Sequence, residues 1–171
     1  IGADAAAKAP ADGYTVHLID STAFAYVPNM RKVSYDPLKA FTPLVHLGDL
    51  PFVLVAHPSV PVRNLQELIA FAKANPNKLN CASAGVGSPH HLIAEIFKQR
   101  AGISMNHVPY KGAAQYIADL LGGQVDLAVS TLGPAMPHIQ TGRMRALAVT
   151  AVKRSSTMPR SEEHTSELQS R

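Results

Sequence analysis

The chain has 171 residues, enough for one ordinary domain or parts of two, and its 46% hydrophobic and 16% charged content suits a folded core rather than a disordered segment. No apolar run approaches the ~20 residues needed to cross a bilayer, so no direct membrane insertion is expected. The formal net charge is +4, but the basic residues are scattered and aromatics make up only 6%, so there is neither a basic stripe nor a stacking platform for nucleic acid.

The single cysteine, Cys81, rules out an internal disulfide and a multi-cysteine zinc site, and gives no reading of redox compartment. Ile1 to Lys8 reads as the tail of a helix, followed by a turn at Pro10-Ala-Asp-Gly13. Tyr14 to Ile19 has the β-branched and aromatic content of a strand, with Asp20, Ser21 and Thr22 at its C-terminal end. An apolar stretch runs on to Met30, and a proline-punctuated loop extends through Pro43.

Phe52 to Ala56 is a continuous apolar run, which predicts a strand buried on both faces. Asn64 caps a predicted helix through Ala74, with Glu67 placed for a capping box and Leu65, Leu68, Ile69 and Ala72 forming the buried stripe. Leu79 to Ser83 is the next strand. It feeds Ala84-Gly-Val-Gly-Ser88, a glycine-rich turn that opens straight into a helix reaching Arg100 and stopped by Gly102. Ser88 suits the N-cap and Pro89 the first helical position, while Leu92, Ile96 and Phe97 form its expected buried face.

His107 to Tyr110 reads as a short strand, followed by a helix with Ile117, Leu120 and Leu121 inward and closed by Gly122-Gly123. Val125 to Val129 is another buried strand. Gly133-Pro134 opens a short helix ending near Gly142, with Pro137 expected in its first turn. Arg145 to Val149 is the last strand. Strands alternating with helices across short glycine-bearing loops predict an α/β fold with a parallel or mixed sheet.

A helix that starts at a glycine turn presents unpaired N–H groups and the positive end of its dipole, which makes a receiver for a carboxylate or phosphate. In open α/β sheets, ligands sit at the C-terminal ends of strands. The residues at those ends are Ser21, Thr22, the 83–88 turn, Lys111 with Gly112, and Ser130 with Thr131. They are donors with no carboxylate at the centre, as an anionic ligand held by hydrogen bonds requires. Any one of these hydroxyls could equally cap a helix or brace a turn.

Other chemistries fit less well. His90 and His91 are adjacent on a helix, so their side chains diverge by about 100° and make poor joint metal ligands. No metal or cofactor is expected. The turn lacks the Lys-Ser/Thr ending of a P-loop, no G-x-S-x-G elbow occurs, and Cys81 reads as an inert core residue.

Five segments then carry a family resemblance. They are Ala9–Tyr14, Leu79–Phe97, His107–Gly112, Asp119–Asp126 and Gly142–Thr150, in the family's order along residues 1–159. Together they resemble the periplasmic solute-binding receptors of the tripartite tricarboxylate transporter family, the Bug-type receptors. The resemblance implies a periplasmic binding protein-like two-lobe fold, with 1–56 a partial first lobe, 57–146 a near-complete second lobe and 147–159 a return strand to the first. It also implies that the chain is cut at both ends, with a strand and ligand loop of the first lobe preceding Ile1.

The implied ligand is a small organic carboxylate, and the implied partners are the membrane permease subunits of a transporter. Carried over by position, the ligand residues are Ser21 and Thr22 from the first lobe and Ser83, Ala84, Gly85, Gly87, Ser88 and His91 from the second. Ser130 and Thr131 complete the set but depart from the acidic–Asn pair of many members. The implied role is periplasmic binding without catalysis. The alternatives are an α/β enzyme acting on a small anion and a periplasmic sensor for a signalling partner.

The last twelve residues, 160–171, turn abruptly polar and resemble translated sequencing-adapter sequence, so they are expected to be a non-native tail.

Overall fold

The computed structural model describes residues 2–150, and the expectations for the return segment beyond Thr150 and for the 160–171 tail lie outside them. The chain forms two compact units, one through Gly48 and the other from Asp49 onward.

In the first unit, α1 (Gly2–Lys8) carries an i,i+4 pair of Lys8 Nζ to Asp4 Oδ2 at 2.8 Å. That hydrogen bond, joined by one from the Ser34 hydroxyl, lowers the Asp4 pKa. A π-type turn, Thr22–Tyr26, runs into the single-turn α2 (Val27–Met30). Tyr35 ties this region to the loop that follows it, donating its hydroxyl to the Ala23 carbonyl at 2.7 Å and meeting Phe41 edge-on at 5.7 Å.

The strand expected at 14–19 does not form. The segment is irregular, and Tyr14, Val16 and Leu18 stand exposed. β propensity expresses fitness for a pleated, packed surface, and among the described residues no neighbouring strand pairs with this one.

The second unit is a five-stranded mixed sheet with helices on both faces. Its strands are β1 (Phe52–Ala56), β2 (Asn80–Ser83), β3 (Asn106–Pro109), β4 (Leu127–Thr131) and β5 (Arg145–Val149). They lie in the order β3-β2-β4-β1-β5. β2 is parallel to β3 and to β4, whereas β1 runs antiparallel to both β4 and β5.

Strand alternation divides the core in two. Leu54, Cys81, Leu127 and Val129 pack beneath α3 (Leu65–Ala74) and α4 (Pro89–Ala101). Val53, Val55, Ala82 and Ala128 face α5 (Ala113–Leu121) and α6 (Leu132–Gln140). Burial on both faces explains why β1 reads as an unbroken apolar run.

The helix ends follow local chemistry. The Asn64 side chain accepts from the Glu67 N–H at 2.8 Å. Glu67 reaches one residue further back than a standard capping box, accepting from the Arg63 N–H at 2.7 Å. Gly102 closes α4 in the left-handed conformation, φ 61°.

Two expectations are corrected here. α4 buries Ala94, with Ile93 and Phe97 packed beside it, while Ile96 is exposed. The small Ala94 lets the helix seat on the sheet, and this turns the 96 position outward. Pro137 lies inside α6 rather than in its first turn, because the helix starts directly at Leu132 after Thr131. Every other helix and strand expected in this unit is present, with ends shifted by a residue or two.

Candidate functional site

The site follows from connectivity. Parallel strands β2 and β4 are neighbours, yet α4, which follows β2, covers one face of the sheet and α6, which follows β4, covers the other. The two connections diverge and leave a crevice at the C-terminal ends of these strands, the ligand position of open α/β sheets. Residues 84–91 line one side and Thr131 the other. The antiparallel β1 brings its first residue, Phe52, to the same edge, opposite Thr131.

The 83–88 turn is shaped by two glycines and two serines. Gly85 has φ 116° and Gly87 φ 78°, conformations that side-chain-bearing residues rarely adopt. A Cβ at Gly85 would also lie 3.1 Å from the Tyr110 carbonyl oxygen. Ser88 is the N-cap, accepting the His91 N–H on Oγ at 3.3 Å while donating to the Gly85 carbonyl at 2.7 Å. Ser83 is fully buried. Its Oγ accepts the Gly85 N–H at 3.1 Å and lies 2.6 Å from His107 Nε2.

His91 closes the turn from above, its Nδ1 accepting the Gly87 N–H at 3.2 Å. Its ring stacks on that of His107 with centroids 4.1 Å apart and planes 26° apart. Burial and, after it, the adjacent His91 hold the His107 pKa below the usual imidazole value.

His90, the neighbour of His91, points a different way. Its ring meets Phe52 edge-on at 5.1 Å and Tyr116 at 6.1 Å, and its Nδ1 is buried without a hydrogen-bond partner among the described residues. Burial depresses its pKa.

The candidate residues therefore separate. Ala84, Gly85, Gly87, Ser88 and His91 form one continuous structure with Ser83 behind it. Thr131 is half-buried across the crevice. Ser130 is fully buried, accepting the Tyr116 hydroxyl at 2.9 Å and donating to the Thr131 carbonyl at 3.1 Å. Ser21 and Thr22 belong to the other unit, where the Thr22 N–H bonds Asp20 Oδ1 at 2.9 Å.

Lys111, at the end of β3, is exposed, and its N–H donates to Gln115 Oε1 at 3.2 Å. Next to it, Tyr110 donates to Asp119 Oδ2 at 2.6 Å, and this bond, with some burial, pushes its pKa up to about 12.

His107 was missed as part of this structure. The signal lay in strand order: with β2 and β3 parallel and Cys81 opposite His107, the residue two positions beyond Cys81 falls on the same face and within reach of the ring. Among the described residues, no group of three or more His, Cys, Asp or Glu is placed to hold a metal ion. No described helix is long and apolar enough to cross a membrane.

A mixed α/β sheet whose helices diverge at its strand ends places the ligand position of this fold class beside the 83–88 turn. The chain belongs to the tripartite tricarboxylate transporter family receptors, whose pattern it matches over residues 1–170. It is 39% identical over 161 residues to protein BugT of Bordetella pertussis, a match covering 93% of this chain and 49% of BugT.

Among solved structures, it resembles Rpa4515 of R. palustris with adipate (37% identity, TM-score 0.78, 89% of this chain and 51% of that one). It also resembles MatC from Rhodopseudomonas palustris with bound malate (27% identity, TM-score 0.68, 81% of this chain and 46% of that one). The chain thus spans about half the length of these relatives.

Proposed function

We propose that this chain forms part of a periplasmic receptor that binds a small dicarboxylate and delivers it to the permease subunits of a tripartite transporter, without chemical conversion. The observation that carries the reading is the glycine turn running into the Ser88-capped α4. Gly85 and Gly87 let the backbone come close to a ligand, and α4 sets the positive end of its dipole there, so a carboxylate that displaced the turn's own acceptors would gain charge-assisted hydrogen bonds. The adipate and malate held by two relatives, both dicarboxylates, support that ligand class.

In this reading Gly87, Ser88 and His91 meet one carboxylate, with Ala84 and Gly85 shaping the turn. Thr131 reaches the ligand from the opposite strand end. Ser83 and Ser130, whose hydroxyls are buried and engaged, hold the two loops from behind. Residues 57–146 constitute the second lobe, and Ser21 and Thr22 contribute from the first, 1–56. The 147–159 segment returns to the first lobe.

The test is calorimetric titration with adipate and with malate, using adipamide as the uncharged control. Stoichiometric binding of a diacid and none of the amide is expected; equal binding of adipate and adipamide would rule out carboxylate recognition.

A further inference from the structure

In the structure both glycine amides of the ligand turn are already occupied, and each leads to a histidine. The Gly87 N–H is bound directly by His91 Nδ1 at 3.2 Å. The Gly85 N–H is bound by Ser83 Oγ, which lies 2.6 Å from His107 Nε2. The two imidazoles then stack at 4.1 Å. We infer that His107 is a positioning residue of the turn and that the His91–His107 pair is a proton-operated latch on it, so that the turn accepts a carboxylate more readily as pH falls. This inference rests on the carboxylate-receptor reading for its consequence, though not for the latch itself.

The argument is one of lone pairs. Nδ1 can accept the Gly87 N–H only while it carries no proton, which makes His91 neutral with its hydrogen on Nε2. In that state the imidazole stands where a ligand oxygen would, as an internal substitute for it. A proton added at Nδ1 turns the acceptor into a donor and breaks the bond. The Gly87 amide is then free and a cation lies beside it, and both changes favour an anion.

The groups facing the pair set its response. His107 on β3 limits the stack to one proton, because two positive rings at 4.1 Å would repel. Glu95 on α4 is the acidic group facing the ring, with Oε1 3.8 Å from His91 Nε2, and Lys98 on α4 holds the same oxygen at 2.8 Å. Cys81 on β2, opposite His107 in the sheet, is buried, and that burial pushes its thiol up to about 12 and keeps it neutral. Ser83 follows whichever ring state remains, since its hydroxyl can either donate to or accept from His107.

The latch is read without ligand by NMR of the isotope-labelled chain between about pH 5 and 8, the range in which imidazoles titrate. At the upper end the His91 ring is expected in the Nε2–H form, and on acidification the Gly87 amide signal shifts with the same midpoint as that ring. In His107→Gln the Gly85 amide signal is expected to shift, because Ser83 Oγ loses its imidazole partner. A Gly87 amide that ignores the His91 titration, or a His91 ring protonated on Nδ1 at about pH 8, would overturn the latch.

The consequence is read by adipate calorimetry between about pH 6.5 and about pH 8, where both adipate carboxyls stay ionised. Affinity is expected to fall several-fold across that range, and to lose this fall in His91→Gln, whose side-chain oxygen still accepts the Gly87 N–H but does not titrate. An unchanged pH dependence in that variant would overturn the coupling. A normal NMR titration with no adipate binding at either pH would refute the ligand assignment while leaving the latch intact.

Discussion

The Tyr116 hydroxyl donates to Ser130 Oγ at 2.9 Å, joining α5 to the C-terminal end of β4 between two fully buried side chains. Ser130 passes the chain of bonds on to the Thr131 carbonyl, so the backbone on one side of the crevice is set by a phenol on a neighbouring helix. Burial raises the Tyr116 pKa, and the bond to Ser130 partly opposes that rise.

Removing either partner should cost stability unequally. Ser130→Ala leaves a buried phenolic hydroxyl without its acceptor and is expected to lower unfolding free energy by ~1–3 kcal/mol. Tyr116→Phe leaves Ser130 its bond to Thr131 and should cost ~0.5–1.5 kcal/mol. Urea denaturation of the two variants checks the order; a Phe variant less stable than the Ala variant would contradict it.

The ligand turn should be intolerant of side chains. Gly85→Ala combines φ 116° with a 3.1 Å approach to the Tyr110 carbonyl, and Gly87→Val sets a β-branched residue at φ 78°. Each should cost ~1–3 kcal/mol of local strain and weaken adipate binding, the valine by blocking backbone approach as well. Ser88→Ala should cost ~1 kcal/mol through the lost cap. Unchanged adipate affinity in Gly87→Val and Ser88→Ala, measured by calorimetry, would remove the turn from the site.

Acid stability should depend on His90. Its pKa is held below the ordinary 6.5 by burial, so the unfolded chain binds the proton first as pH falls. Its contribution is therefore present above about pH 6.5 and lost on acidification through the depressed folded value. His107 acts in the same direction. His90→Phe keeps a ring against Phe52 and Tyr116 without the titrating nitrogen, and should lose less stability between about pH 7.5 and pH 5 than the parent chain. Identical acid losses in both would remove His90 from this role.

Cys81 should be silent toward thiol reagents until the chain unfolds. Burial raises its pKa from the ordinary 9.0 to about 12, so the reactive thiolate is scarce in the folded state. The raised value also means that stability declines as pH rises from 9.0 toward about 12, where the unfolded thiol ionises and the folded one does not. Prompt labelling of the native chain at neutral pH would contradict the buried assignment.

Sequence alone determined the elements whose signals are local. Asn64 and Ser88 declared helix starts through their own side-chain oxygens, Gly102 a helix stop, and the unbroken apolar run at 52–56 a strand covered on both faces. The glycine turn between Ser83 and Ser88 was legible for the same reason, since positive φ and close backbone approach demand glycine at the positions where it stands.

What the tertiary structure decided was pairing. Tyr14 to Ile19 has strand composition, but among the described residues no neighbouring strand completes a ladder with it. His107 looked like an isolated histidine until β3 was placed beside β2, and Ser130 like a free ligand donor until Tyr116 was found on it. A hydroxyl or an imidazole has the same intrinsic chemistry wherever it lies in the chain. Whether it faces a ligand or braces the loop that does depends on contacts between residues distant in sequence, which only the folded sheet brings together.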